Sequence, residues 1–323
     1  MIYTSERKDF ELTVPDIPVT EYTLRHAERL ADKPALIDGP SGRTLTYGEL
    51  AVGIRIAATG LAARGMGKGD VMGIYCPNIP EYSLIFNAVA SLGGVNTTVN
   101  PLYTAGELAK QLNDANARFL VTVPLFLDKA LEAAGNSAVE EVFVLGEGQG
   151  ATPFTELLSA GDDPPLVEID TKNDLVVLPY SSGTTGLPKG VMHSHATVLW
   201  MIFTMTATAE IRYKDRYLNS MPLFHVGALA PILGCVFAGC SLVIMKAFDP
   251  AQSWELIGRE KITSTLMVPA MLQLMLGQPG NRPAFAKRQC RWERSRPAQK
   301  NRHPPEEGGC RLLKLSAYEW TSS

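Results

Sequence analysis

Residues 178–195, LPYSSGTTGLPKGVMHSH, set the hydroxyl side chains of Ser181, Ser182, Thr184 and Thr185 among Gly183, Gly186 and Gly190, with a single cation at Lys189. Glycines let successive backbone N–H groups turn inward as an anion-binding nest, hydroxyls add donors, and a lysine adds a mobile positive charge. A polyphosphate is the ligand that such a loop suits. The pattern is not the Walker type, because no Gly-Lys-Ser/Thr occurs and Pro188 precedes the lysine. His225, in MPLFHVGAL (221–229), and Lys246 are two further candidates. A lone histidine after Pro-Leu-Phe is ordinarily a satisfied, half-buried residue, and Lys246 before Ala-Phe-Asp reads equally well as a charge at a strand end. His193 and His195 have HxH spacing, but without a third ligand they read as the start of a helix rather than as a metal site.

These residues need a scaffold, and the chain alternates. Thr46 with Glu49 and Thr104 with Glu107 form capping boxes, each opening a helix. Strands are expected at 71–76, 95–99, 119–123 and 142–145, with helices near 80–92 and 125–134 between them. After a polar stretch rich in Gly, Asp and Pro at 146–174, alternation resumes. Strands are expected at 175–180, 217–221, 241–245 and 264–268, and helices at 195–209, 226–238, 250–259 and 269–277. This rhythm means mostly parallel sheets covered on both faces, in two α/β lobes at about 1–150 and 174–277. The loop at 181–190 then leaves the carboxyl end of a strand, where α/β proteins bind ligands.

The formal net charge of −3 and 46% hydrophobic content suit a large buried core. Five cysteines without CxxC spacing suggest neither a disulfide framework nor a thiolate zinc site, and a reducing, cytoplasmic setting fits. The opening MIYTSERKDF has no apolar signal-peptide core. Residues 226–245 are long and uncharged enough to imitate a membrane span. Pro231, Gly234 and the Gly239-Cys240-Ser241 break instead suit a helix followed by a core strand, so no transmembrane segment is expected. Residues 281–310 contain no Ile, Leu or Val and crowd basic residues among prolines. The tail at 278–323 therefore reads as disordered. No reader motif accompanies its charge, so no nucleic-acid partner is expected.

SSGTTGLPKG (181–190) resembles the signature phosphate loop of the adenylate-forming, AMP-binding superfamily, which includes acyl-CoA synthetases and 4-coumarate–CoA ligases. MPLFHVGAL resembles the helix entry lining that family's acyl pocket. LTYGEL (45–50), CPNIPEY (76–82) and VNPLYTAGEL (99–108) resemble its amino-terminal landmarks, and the opening is most similar to the 4-coumarate–CoA ligase branch. The resemblance covers about residues 1–277. It implies the stacked α/β lobes of the family's amino-terminal domain, incomplete here, and a two-step ligation. A carboxylate attacks the α-phosphorus of ATP to give acyl-AMP and pyrophosphate, and the thiol of coenzyme A then displaces AMP.

By the same resemblance, Ser181, Ser182, Gly183, Thr184, Thr185 and Lys189 hold the β- and γ-phosphates. Mg2+ bridges phosphate oxygens, with Thr185 as its protein contact. His225 borders the acid's carboxylate, Val226, Gly227 and Leu229 line the acyl tail, and Lys246 contacts coenzyme A. The substrate implied is a fatty or aryl carboxylic acid. The family's ribose aspartate, hinge and adenylation lysine have no counterpart in this sequence, and Tyr318 to Thr321 only faintly echoes its aromatic-Gly-x-Thr-Glu segment. A truncation or frameshift after about residue 277 accounts for both the tail and these departures. Two readings follow: an acid–CoA ligase impaired in this chain, or a non-catalytic remnant that binds nucleotide or a partner. The acid and the oligomeric state are not legible.

Overall fold

The computed structural model describes residues 14–159, 163–181, 188–208, 211–278 and 314–316. The strands are β1 (Pro34–Asp38), β2 (Thr44–Thr46), β3 (Val71–Tyr75), β4 (Val95–Thr98), β5 (Ala117–Thr122), β6 (Glu141–Val144) and β7 (Thr152–Pro153). They continue with β8 (Leu175–Ser181), β9 (Lys189–Gly190), β10 (His193–Ser194), β11 (Arg216–Asn219), β12 (Ser241–Ile244), β13 (Ser264–Leu266) and β14 (Lys314–Ser316). The α-helices are α1 (Val19–Leu24), α2 (Tyr47–Ala63), α3 (Glu81–Ser91), α4 (Ala105–Asp114), α5 (Leu127–Gly135), α6 (His195–Thr208), α7 (Val226–Phe237), α8 (Pro250–Arg259) and α9 (Pro269–Leu276). Both expected capping boxes are formed. The Thr46 and Thr104 side chains accept from the backbone of Glu49 and Glu107, whose carboxylates accept in return.

The strands make two mainly parallel sheets. One has the order β10-β8-β4-β3-β5-β6-β7, with β9 pairing β8; the other runs β14-β13-β11-β12-β1-β2. The mixed α/β class is therefore the expected one, but the sheets do not follow the division of the chain near 150–174. β1 and β2, from the first stretch, join the second sheet, where Leu36 lies opposite Leu242. β8, from the second stretch, joins the first sheet, with Thr98 opposite Pro179. Asp38 Oδ2 accepts from the Ser41 backbone and Gly42 adopts φ 73°, which turns the chain from β1 into β2.

Side chains alternate across each strand and sort the core into layers. Met72 and Ile74 of β3 enter a central cluster with Leu50, Ile54, Ile85, Phe86, Leu199 and Leu233, while Val71 and Tyr75 point the other way, toward Leu108, Leu112 and Ala130. Likewise Leu242 and Ile244 of β12 face the centre, and Val243 and Met245 face Trp254, Ile257 and Met275. The order is helices α4 and α5, the first sheet, a central layer containing α2, α3, α6 and α7, the second sheet, then α8 and α9. Strands buried on both faces read as continuous apolar runs, which is why the sequence signalled them.

Residues 226–245 form α7 and β12 rather than a membrane span, and no helix among the described residues is long and apolar enough to cross a membrane. Within the tail, Lys314–Ser316 pairs parallel with β13, Ser264 opposite Lys314, where no element was expected. Cys76, Cys235 and Cys240 are buried free thiols.

Candidate functional site

β4 carries an unusual load for a central strand: Asn96, Thr97 and Thr98 are all buried. Each of the three side chains donates a hydrogen bond that fixes a neighbour. Asn96 Nδ2 donates to the carbonyls of Phe86 on α3 and Val176 on β8 (3.1 and 3.3 Å). Thr97 Oγ1 donates to Leu178 O (3.1 Å) and accepts from Gln111 Nε2 on α4 (2.9 Å). Thr98 Oγ1 donates to Phe224 O at 2.8 Å, reaching the turn that follows β11 of the other sheet. A buried donor without an acceptor is costly, so these bonds specify the placement of β8 and of the 221–225 turn.

A second tie comes from the loop after β3. Asn78, which is buried, donates through Nδ2 to Met221 O and Met245 O, each at 2.9 Å, and accepts from Leu223 N–H at 2.8 Å. The carboxyl ends of β3 and β4 are thereby joined to those of β11 and β12. This is the position outside parallel strand ends where open α/β sheets bind ligands.

The expected residues distribute around this junction as follows. Ser181 ends β8 and lies opposite Lys189 in the antiparallel β8–β9 ribbon, and both are exposed. Among the described residues the Lys189 ammonium has no carboxylate partner, which leaves its charge available to an anion. Ser182, Gly183, Thr184 and Thr185 lie outside the described residues. His225 is exposed directly after the tethered Phe224; its N–H donates to Pro222 O and its carbonyl accepts from Leu229 N–H, both at 3.1 Å. Val226 and Gly227 open the α7 backbone, and Leu229 is 1% exposed within the central core. Lys246 is exposed immediately after Met245, whose carbonyl Asn78 holds. The junction thus brings Ser181, Lys189, His225 and Lys246 to the convergent strand ends, while Leu229 packs inward.

His195 is fully buried at the start of α6, where its Nδ1 accepts from Val19 N–H at 3.1 Å. Burial pushes its pKa down to about 4, so it is neutral. Burial also lowers His193. His195 is the first residue of α6, as the helix-start reading expected, while His193 lies in β10.

Asn78 and Thr98 are residues to which sequence reasoning gave no role. Asn78 lay inside the CPNIPEY landmark, but its partners are backbone groups far along the chain and leave no mark on local pattern. The only signal from Thr98 was a polar residue in a strand otherwise expected to be buried.

Two mainly parallel sheets stacked through a helical layer match the amino-terminal domain architecture of adenylate-forming enzymes. The chain belongs to the AMP-binding enzyme family, whose model matches residues 24–308 and so runs past the end of the resemblance near 277. It is 38% identical over 272 residues to 4-coumarate–CoA ligase 5 of Oryza sativa subsp. japonica, covering 81% of this chain and 49% of the relative. It is 31% identical over 281 residues to 4-coumarate–CoA ligase 1 of Petroselinum crispum, covering 84% and 52%. The crystal structure of a long-chain-fatty-acid-CoA ligase (FadD1) from Archaeoglobus fulgidus superposes with a TM-score of 0.77 at 26% identity, over 82% of this chain and 54% of that one. The chain spans about half the length of the curated relatives it matches.

Proposed function

We propose that this chain supplies the nucleotide- and acid-binding surfaces of an ATP-dependent acid–CoA ligase acting on an aryl or fatty carboxylic acid. The observation that carries the reading is the joining of the β8–β9 ribbon and the His225 turn through Thr98, whose strand neighbour is Pro179 and whose hydroxyl holds Phe224 O. In this reading the donor-rich loop that follows β8 and the turn bearing the exposed His225 would serve one substrate.

In this reading Ser181, Ser182, Gly183, Thr184, Thr185 and Lys189 receive the β- and γ-phosphates. The exposed Lys189, without a carboxylate partner among the described residues, fits a polyanion. Thr185 would be the protein's contact to Mg2+. The ion would neutralise phosphate charge during displacement. His225 borders the carboxylate, Val226 and Gly227 lead into the acyl tail's path, and Leu229 backs that path from the core. Lys246 offers a cation to coenzyme A. A carboxylic acid is already ionised near neutral pH, so these groups have only to orient it and to stabilise phosphate charge.

Calorimetric titration with MgATP and pyrophosphate release with a panel of cinnamic and fatty acids test this function. MgATP binding with acid-dependent release supports the ligase. Binding without release favours a nucleotide-binding role, and no MgATP binding refutes the reading.

A further inference from the structure

β9 has only two residues, too few for its own ladder to fix a register. A slip by one residue would turn Lys189 to the opposite face. The structure shows what holds it. Tyr180, the residue before Ser181, is the register partner of Gly190, and its ring lies on that glycine. A Cβ at Gly190 would meet Tyr180 Cζ at 3.1 Å and Cε2 and Oη at 3.2 Å, close enough that the ring would have to give way by a few tenths of an ångström. The ring packs into the layer containing Leu108, Leu112 and Tyr103. Its hydroxyl donates to Asp114 Oδ2, on the last residue of α4, at 2.5 Å. α4 is itself bound to the strands through Gln111, which donates to Thr97 Oγ1 and Thr98 O (2.9 and 3.1 Å). Beyond the ring, Val191 N–H donates to Pro179 O at 2.9 Å.

We propose that Tyr180, held by Asp114, is a positioning residue that sets the register of β9 and so keeps Lys189 opposite Ser181. The ring in its present place is accommodated best over a glycine, which favours the register that sets Gly190 opposite it. The consequence for nucleotide rests on the function proposed above; the register does not.

Two measurements on the full chain test the pair. In the first, hydrogen exchange at the Val191 amide is followed in Tyr180→Phe, Asp114→Ala and the double variant. One hydrogen bond contributes about 1 kcal/mol, so each single variant should exchange about fivefold faster, and the double variant no faster than either. Unchanged exchange, or additive acceleration, overturns the pair whatever the nucleotide does. In the second, MgATP affinity is measured by calorimetry. Tyr180→Phe should weaken binding about fivefold in the wild-type background and not at all in Lys189→Ala. An equal loss in both backgrounds shows that Tyr180 does not act through Lys189 and overturns the positioning role. A wild-type chain that binds no MgATP refutes the nucleotide reading alone, and faster Val191 exchange in the variants then still supports the register.

Discussion

Asn78 accepts the backbone N–H of Leu223, which lies 145 residues further along the chain, at 2.8 Å. The same amide donates to Met221 O and Met245 O, so one side chain pins the ends of β11 and β12 to the loop after β3. Met221 O keeps a second donor in Asn219 Nδ2, but Leu223 N–H and Met245 O would lose this partner in Asn78→Ala. Two newly orphaned buried groups should cost about 2–4 kcal/mol, read as a lower urea midpoint at unchanged slope. A midpoint within error of wild type would show that the junction is held by other means.

Thr98→Val keeps the shape and removes the donor to Phe224 O. A loss of about 1 kcal/mol is expected, with faster hydrogen exchange at the His225 and Leu229 amides, whose bonds form the tethered turn. Thr98→Ser should restore both, because it retains the hydroxyl. Equal behaviour of Val and Ser variants would mean that the hydroxyl does not restrain the turn.

Lys189→Ala should weaken MgATP binding by about 10- to 100-fold, the loss of one charge-assisted contact to phosphate. The side chain is exposed and outside the core, so the thermal midpoint should stay where it is. Calorimetry separates the two effects, and an unaltered affinity would remove the lysine from the phosphate site.

Stability should fall in mild acid. His195 is neutral in the fold with a pKa near 4, against 6.5 for the free side chain. Above pH 6.5 neither state binds the proton. Between pH 6.5 and 4 the unfolded chain takes it up while the fold resists, so stability is lost as pH falls, reaching about 3 kcal/mol at pH 4. In His195→Asn, whose amide oxygen can still accept Val19 N–H, this part of the pH dependence should vanish from denaturation midpoints measured across pH 4–7. An unchanged profile would assign the loss to other groups.

The helices opened by Thr46 and Thr104 were legible because a capping box is a local pattern, and the buried strands because parallel strands read as apolar runs. β1 was not, since PALID is short and its partner around Leu242 is remote. For the same reason the sequence suggested two consecutive lobes, whereas β1, β2 and β8 cross between sheets. The glycines and hydroxyls of 181–190 suggested an anion loop through composition alone. Asn78, Thr98 and the Tyr180–Asp114 pair stayed silent, because their meaning depends on which carbonyl or carboxylate the fold brings to them. Leu229, expected along the acyl tail by resemblance, is 1% exposed in the central core, a depth that a helix entry does not reveal from sequence.

The crossing of β1 into the later sheet also governs the order in which a nascent chain can fold. β3 to β6 are contiguous and can assemble soon after synthesis, pairing neighbours close in sequence. β1 and β2 emerge earlier, yet the central partner of β1 is β12, so this hairpin must wait until residue 244 has left the ribosome. Distant pairings close slowly because a long loop must be ordered first. During that interval Ala35, Leu36 and Ile37, all buried in the finished protein, lie on a strand that still lacks its central partner. The earliest apolar strand made is thus among the last to be sheltered, and this hairpin is where a chaperone would have the longest opportunity to engage the growing chain.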